Sequence, residues 1–124
     1  MWTDIINFIK ELFIGLLSQN TELKERISNL FRIISLLYIE VTEKIQKNEY
    51  PYSIGTLLII LTENLYNTLK NYIPVKQQDY FFNLIKEIKD PEKFYYNRDD
   101  SNVVEILNEI SWDINLLSEY LKNL

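Results

Sequence analysis

Glu105, Glu109 and Asp113 stand four residues apart near the end of a 124-residue chain, a spacing that lines three carboxylates along one side of a helix. Carboxylates held together can exchange protons or grip a hard cation. In helical proteins both chemistries recruit ligands from facing helices, typically as Glu-x-x-His pairs. This chain has no histidine and no cysteine. An imidazole base, a thiolate nucleophile, a His- or Cys-ligated metal and a disulfide are all excluded. With Gly15 and Gly55 as the only glycines, neither a phosphate cradle nor a dinucleotide fingerprint can be built. Alanine is also absent while Ile, Leu, Asn, Lys and Tyr abound, a bias of the kind an AT-rich coding sequence imposes. The acidic row therefore reads as a solvated face, and no enzymatic activity, metal or cofactor is expected.

The charge distribution gives that face its interest. The net charge is −5, and residues 99–124 alone hold six acids (Asp99, Asp100, Glu105, Glu109, Asp113, Glu119) against one base, Lys122. The other 98 residues are electrically balanced. A negative excess argues against binding nucleic acid through its phosphates. At 100° per residue, Val103, Leu107, Ile110, Ile114 and Leu121 fall on one side of the last helix, and Glu105, Glu109, Trp112, Leu116 and Glu119 on the other, with Asp113 and Tyr120 on the flank. If that helix packs by its first face, Trp112 and Leu116 emerge inside an acidic rim, suited to a partner protein with an apolar recess and basic surroundings. The competing expectation is that Trp112 packs against the first helix.

A second constellation precedes it: Phe94, Tyr95 and Tyr96 run consecutively before Asn97-Arg98-Asp99-Asp100-Ser101. Phe94 and one tyrosine can plug the end of a core while Asp99, Asp100 or Ser101 caps the last helix. Equally, Tyr95 and Tyr96 with Asp99 and Asp100 form a recognition edge, because tyrosine anchors interfaces and acids supply complementarity.

The elements that must carry these residues are helical throughout. Ile5, Ile9, Leu12 and Leu16 mark a first helix over 4–18, opened by Thr3. Thr21 opens a long second helix with Leu23, Ile27, Leu30, Ile34, Leu37, Val41 and Ile45 on its stripe. After Pro51, Ser53 opens a third helix on Ile54, Leu58, Leu61, Leu65, Leu69 and Tyr72. Its uncharged start, between Glu49 and Glu63, predicts burial nearly all round. A shorter fourth helix spans roughly 76–89, residues 91–100 form a loop, and the last helix covers about 102–122. No stretch alternates with period two. The expected fold is all-α: one domain over 1–124, an antiparallel bundle of four main helices plus one shorter helix. The 4-3 spacing also supports self-association.

A 124-residue chain with 47% apolar residues buries about two-thirds of its unfolded surface, enough for one core. The longest uncharged window, 50–62, is short of the roughly 20 residues a bilayer requires. The N-terminus lacks a basic leader, so a cytoplasmic location without membrane insertion is expected. The first helix carries no basic face for lipid and reads as part of the bundle. Asn64, Tyr66, Asn67 and Tyr72 are candidates to line a ligand pocket, should they face inward.

Two resemblances converge on one class of function. The long second helix, its Lys-rich end Glu43-Lys44-Ile45-Gln46-Lys47, the turn at Pro51 and the run from Leu57 to Tyr66 resemble small bacteriocin-immunity proteins, which form four-helix bundles. Tyr95-Tyr96 followed by Asn97 to Ser101 and Val103-Val104 resembles the Tyr-Tyr turn and acidic helix start of colicin and pyocin nuclease immunity proteins. The proline those proteins carry directly after the tyrosines is missing here. The resemblance implies a toxin- or enzyme-neutralising protein with Tyr95 and Tyr96 as anchors.

Overall fold

The computed structural model describes residues 2–15, 17–86, 88 and 90–124. Among them the backbone forms six α-helices and no strand: α1 (Trp2–Ile14), α2 (Thr21–Gln46), α3 (Tyr52–Leu69), α4 (Val75–Ile85), α5 (Glu92–Tyr96) and α6 (Val103–Lys122), with a 3-10 turn at Lys70–Tyr72. The all-α expectation holds. Residues 91–100, expected as a loop, contain the five-residue α5. Leu16 of the first stripe, and positions 87 and 89 at the expected end of the fourth helix, lie outside the described residues.

The helix starts differ from expectation by one or two residues. Asn20, not Thr21, caps α2, its Oδ1 accepting the Leu23 N–H at 3.1 Å; Asn is the stronger N-cap of the two. Thr3 and Ser53 lie inside the first turns of α1 and α3. Asp100 acts one step before α6, where its Oδ1 accepts the Asn102 N–H at 2.9 Å.

Contacts between neighbours close the five longer helices into a ring. Passing around it, α2 meets α6, α6 meets α1, α1 meets α4, α4 meets α3, and α3 returns to α2. The apolar stripes meet inside as one cluster, in which Ile9, Phe31, Ile34, Leu58, Leu65 and Leu107 are fully buried. Phe8 of α1 stacks on Phe81 of α4 at 5.4 Å between centroids, and Tyr66 of α3 stacks on Phe81 at 5.9 Å. This column of rings ties three helices together.

The largest interface is α2 against α6, and four serines organise it. Ser28 donates to the Ser118 carbonyl at 2.8 Å while Ser118 donates to the Ser28 carbonyl at 2.7 Å. Two turns along, Ser35 and Ser111 exchange the same pair of bonds at 2.9 and 3.1 Å. Residue numbers rise on one helix as they fall on the other, so the pair is antiparallel. Side chains this small let the backbones approach within hydroxyl-to-carbonyl reach, and each buried hydroxyl is satisfied by the partner helix. Across the ring, the fully buried Tyr38 hydroxyl donates to the Ile88 carbonyl at 2.9 Å, securing the α4–α5 connection to α2.

One expectation fails. The first half of α3 is not buried all round: Leu57, Ile59 and Ile60 are 48%, 42% and 56% exposed. In the ring α3 has helical neighbours on two sides, so Ile54, Leu58, Thr62, Leu65 and Leu69 are buried while the opposite side of the helix stays open.

Two substitutions probe these contacts by urea denaturation. Ser111→Leu should cost about 3 kcal/mol by forcing a bulky side chain between α2 and α6 and removing the donor to the Ser35 carbonyl, whereas Ser111→Ala should cost about 1 kcal/mol. Equal tolerance of the two would show that close helix approach is not required. Tyr38→Phe should cost about 1–3 kcal/mol, because it leaves the Ile88 carbonyl without its donor in the core.

Candidate protein-binding face

α6 buries Val103, Leu107, Ile110, Ile114, Leu117 and Leu121. That choice of face turns the opposite side outward. Trp112 is 65% exposed and Leu116 49% exposed, and Glu105, Glu109, Asp113 and Glu119 are exposed around them. Trp112 is therefore not packed away on α1; where α1 meets α6, the Lys10 Nζ lies 4.7 Å from the centroid of the Tyr120 ring. None of these four carboxylates has an ion-pair partner among the described residues. Nor do three of the acids converge closely enough there to hold a metal ion.

Trp112 forms a ridge between two shallow grooves. One, along the outer side of α6, is lined by Ser101, Val104, Glu105, Asn108, Glu109, Trp112 and Asp113. The other runs over the α2–α6 seam and is lined by Ser35, Leu36, Ile39, Asn108, Ser111, Trp112 and Asn115. The serines that draw the two helices together also keep the floor of this second groove low. Leu36 and Ile39, half exposed on its α2 wall, are site residues the sequence reading missed. Their signal was available: both are apolar yet lie off the stripe set by Ile34, Leu37 and Val41.

The tyrosines belong to a separate cluster at the α2–α3 turn. α2 ends with Asn48 in the left-handed region (φ 58°), with the Asn48 and Glu49 N–H groups donating to the Ile45 and Lys44 carbonyls, a Schellman close. The Lys44 ammonium, 2.9 Å from Glu49, holds the Glu49 carboxyl below its ordinary range. Arg98 clasps this turn to the α5–α6 connection. Its Nε donates to Asn48 Oδ1 at 2.6 Å, its Nη1 donates to the Tyr95 carbonyl at 3.0 Å, and its guanidinium lies 4.2 Å from the Tyr95 ring centroid. Tyr95 meets Tyr50 edge-on at 5.0 Å and is half-buried. Tyr96 is 69% exposed. Phe94 is buried, so the plug and the exposed edge coexist in three consecutive residues. Asp99 and Asp100 are exposed between the tyrosines and α6.

The structure thus unites Glu105, Glu109, Trp112 and Asp113 along one groove, with Leu116 on the next turn, and sets Tyr95 and Tyr96 apart with Tyr50. The four residues that were candidates to line a ligand pocket do not come together around one. A cleft of about 60 Å3 between α3 and α4 is lined by Tyr66 and Asn67 with Thr62, Glu63, Phe82, Ile85 and Lys86. Asn64 and Tyr72 are exposed elsewhere. Sites that enclose a small molecule usually offer ~300–1,000 Å3. No described helix is long and apolar enough to cross a membrane.

No protein-family model matches the chain, and neither a curated protein nor a solved structure is significantly similar to it.

The neighbouring Glu92 carboxylate holds the Tyr50 hydroxyl protonated well above its ordinary value of 10.0. A folded value raised above the unfolded one stabilises the fold fully below about pH 10, and this contribution is lost as pH climbs through the folded value. Among the nine tyrosines, Tyr50 should therefore ionise late in an alkaline titration followed by tyrosinate absorbance. Tyr50→Phe should remove that late step, and its persistence in the variant would refute the assignment.

Proposed function

We propose that this chain is a non-catalytic protein-binding domain that docks the outer face of α6 onto a partner protein with a basic surface and an apolar recess, acting as an inhibitor or immunity protein that occludes a toxin or enzyme. The observation that carries this reading is Trp112, 65% exposed inside a rim of four exposed carboxylates. A tryptophan left in water sacrifices a large burial energy, and tryptophans with a polar rim are the residues that dominate interface energetics. The adjoining grooves supply shape, and Leu36 and Ile39 extend the apolar strip across the α2–α6 seam. The unpaired acids create a negative field that speeds encounter with a basic partner and selects against acidic ones.

Within this reading Tyr96 is the better anchor of the tyrosine pair, since Tyr95 is engaged by Arg98 and Tyr50. Tyr95-Tyr96 and the acidic stretch before α6 are the features that resemble the nuclease immunity proteins. A helical bundle is what the resemblance to the bacteriocin-immunity family implies.

Co-purification from the native host, followed by titration against the captured protein, tests the proposal. Trp112→Ala should weaken the complex by about 30-fold or more, the loss of ~2 kcal/mol that defines a hot spot. Glu105→Gln with Glu109→Gln should mainly slow association, and raising salt should reduce the wild-type rate toward that of the variant. A partner that binds Trp112→Ala and Tyr96→Ala at undiminished strength would remove this face from consideration.

A further inference from the structure

The sequence asks for burial of the uncharged opening of α3, and a single copy of the chain does not provide it. Leu57 and Ile60, about half exposed, share one stripe with the exposed Ser53 and Asn64, spaced four, three and four as in a helix-pairing seam. No charged residue occurs on this stripe. We propose that α3 packs antiparallel against α3 of a second copy of this chain, about a two-fold axis, through Ser53, Leu57, Ile60 and Asn64.

Charge selects the occupant. The molecule carries −5, so two copies repel wherever their acids face each other, as they would if α6 met α6. A basic partner gains nothing from a stripe without carboxylates, and a second copy loses nothing there. The residue pattern is also self-complementary under two-fold symmetry. When Leu57 faces the partner's Ile60, Ile60 faces the partner's Leu57, and Ser53 and Asn64 meet at both ends. Apolar then lies on apolar and neutral polar on neutral polar. Glu63, the one acid of α3, ends up about 13 Å from its symmetry mate along the paired helices, beyond the ~8 Å screening length at physiological salt. The contact involves a single helix per copy, well below the area of a standard interface, so the dimer dissociates on dilution.

Light scattering or sedimentation from about 1 µM to 1 mM tests this, a range that spans weak association. The mass should climb from 15.0 kDa toward twice that value, and added salt should not reverse the climb. Ile60→Glu, at an exposed site, should hold the mass near the monomer value, while Trp112→Glu on α6 should associate like wild type. Because the chain has no cysteine, oxidation of the double variant Ser53→Cys, Asn64→Cys reports the register directly. It should yield a covalent dimer that neither single variant gives, since the two positions lie about 16 Å apart within one helix and cannot bridge internally. A wild-type protein that stays at 15.0 kDa throughout overturns the proposal. So does loss of association in Trp112→Glu, or equal cross-linking by the single and double cysteine variants. If Ile60→Glu loses its helical circular dichroism, the cysteine pair decides.

Discussion

The architecture rests on the close approach of α2 and α6, set by two reciprocal serine pairs. Each pair replaces two water-exposed hydroxyls with two buried hydrogen bonds to backbone carbonyls. The net gain per bond is modest, about 1 kcal/mol. The geometric effect is larger. Serine is small enough for the helices to touch along their length, and its hydroxyl must find a partner once buried, which fixes register as well as distance. With α2 and α6 so locked, α1 and α3 are placed at their flanks, and α4 closes the ring through the stacked rings of Phe8, Phe81 and Tyr66.

The candidate binding face is a by-product of that lock. Because α6 turns Ser111 and Ser118 toward α2 and Leu107, Ile114 and Leu121 toward the core, the sector holding Trp112 and Glu105 has no element above it. The groove over the seam exists for the same reason, since serines leave a low floor where larger side chains would fill it. Fold and surface are thus two consequences of one packing decision.

The tyrosine cluster obeys a different constraint. Asn48 accepts a left-handed backbone at the end of α2, which asparagine tolerates better than most residues, and its side chain then receives Arg98. A local turn requirement is thereby converted into a long-range clasp holding α5 near Tyr50. Tyr95 serves this clasp, and Tyr96, one residue on, remains at the surface.

Helical class, the order of the five longer helices and the core stripe of α6 were legible in the sequence, because a 3.6-residue apolar period commits a segment locally, before any neighbour is known. Trp112, Leu116 and their acids followed from the same wheel, being opposite that stripe. The sequence also carried Ser28, Ser35, Ser111 and Ser118 without announcing them. A serine in a helix has the same local signature whether it meets water or another helix, and only the pairing of positions some 76 and 90 residues apart distinguishes the two. The exposure of Leu57 and Ile60, and the recruitment of Leu36, Ile39 and Tyr50 to surface clusters, were likewise settled by tertiary structure. Burial depends on how many neighbours surround a helix, and a ring gives α3 too few to cover every apolar residue it bears.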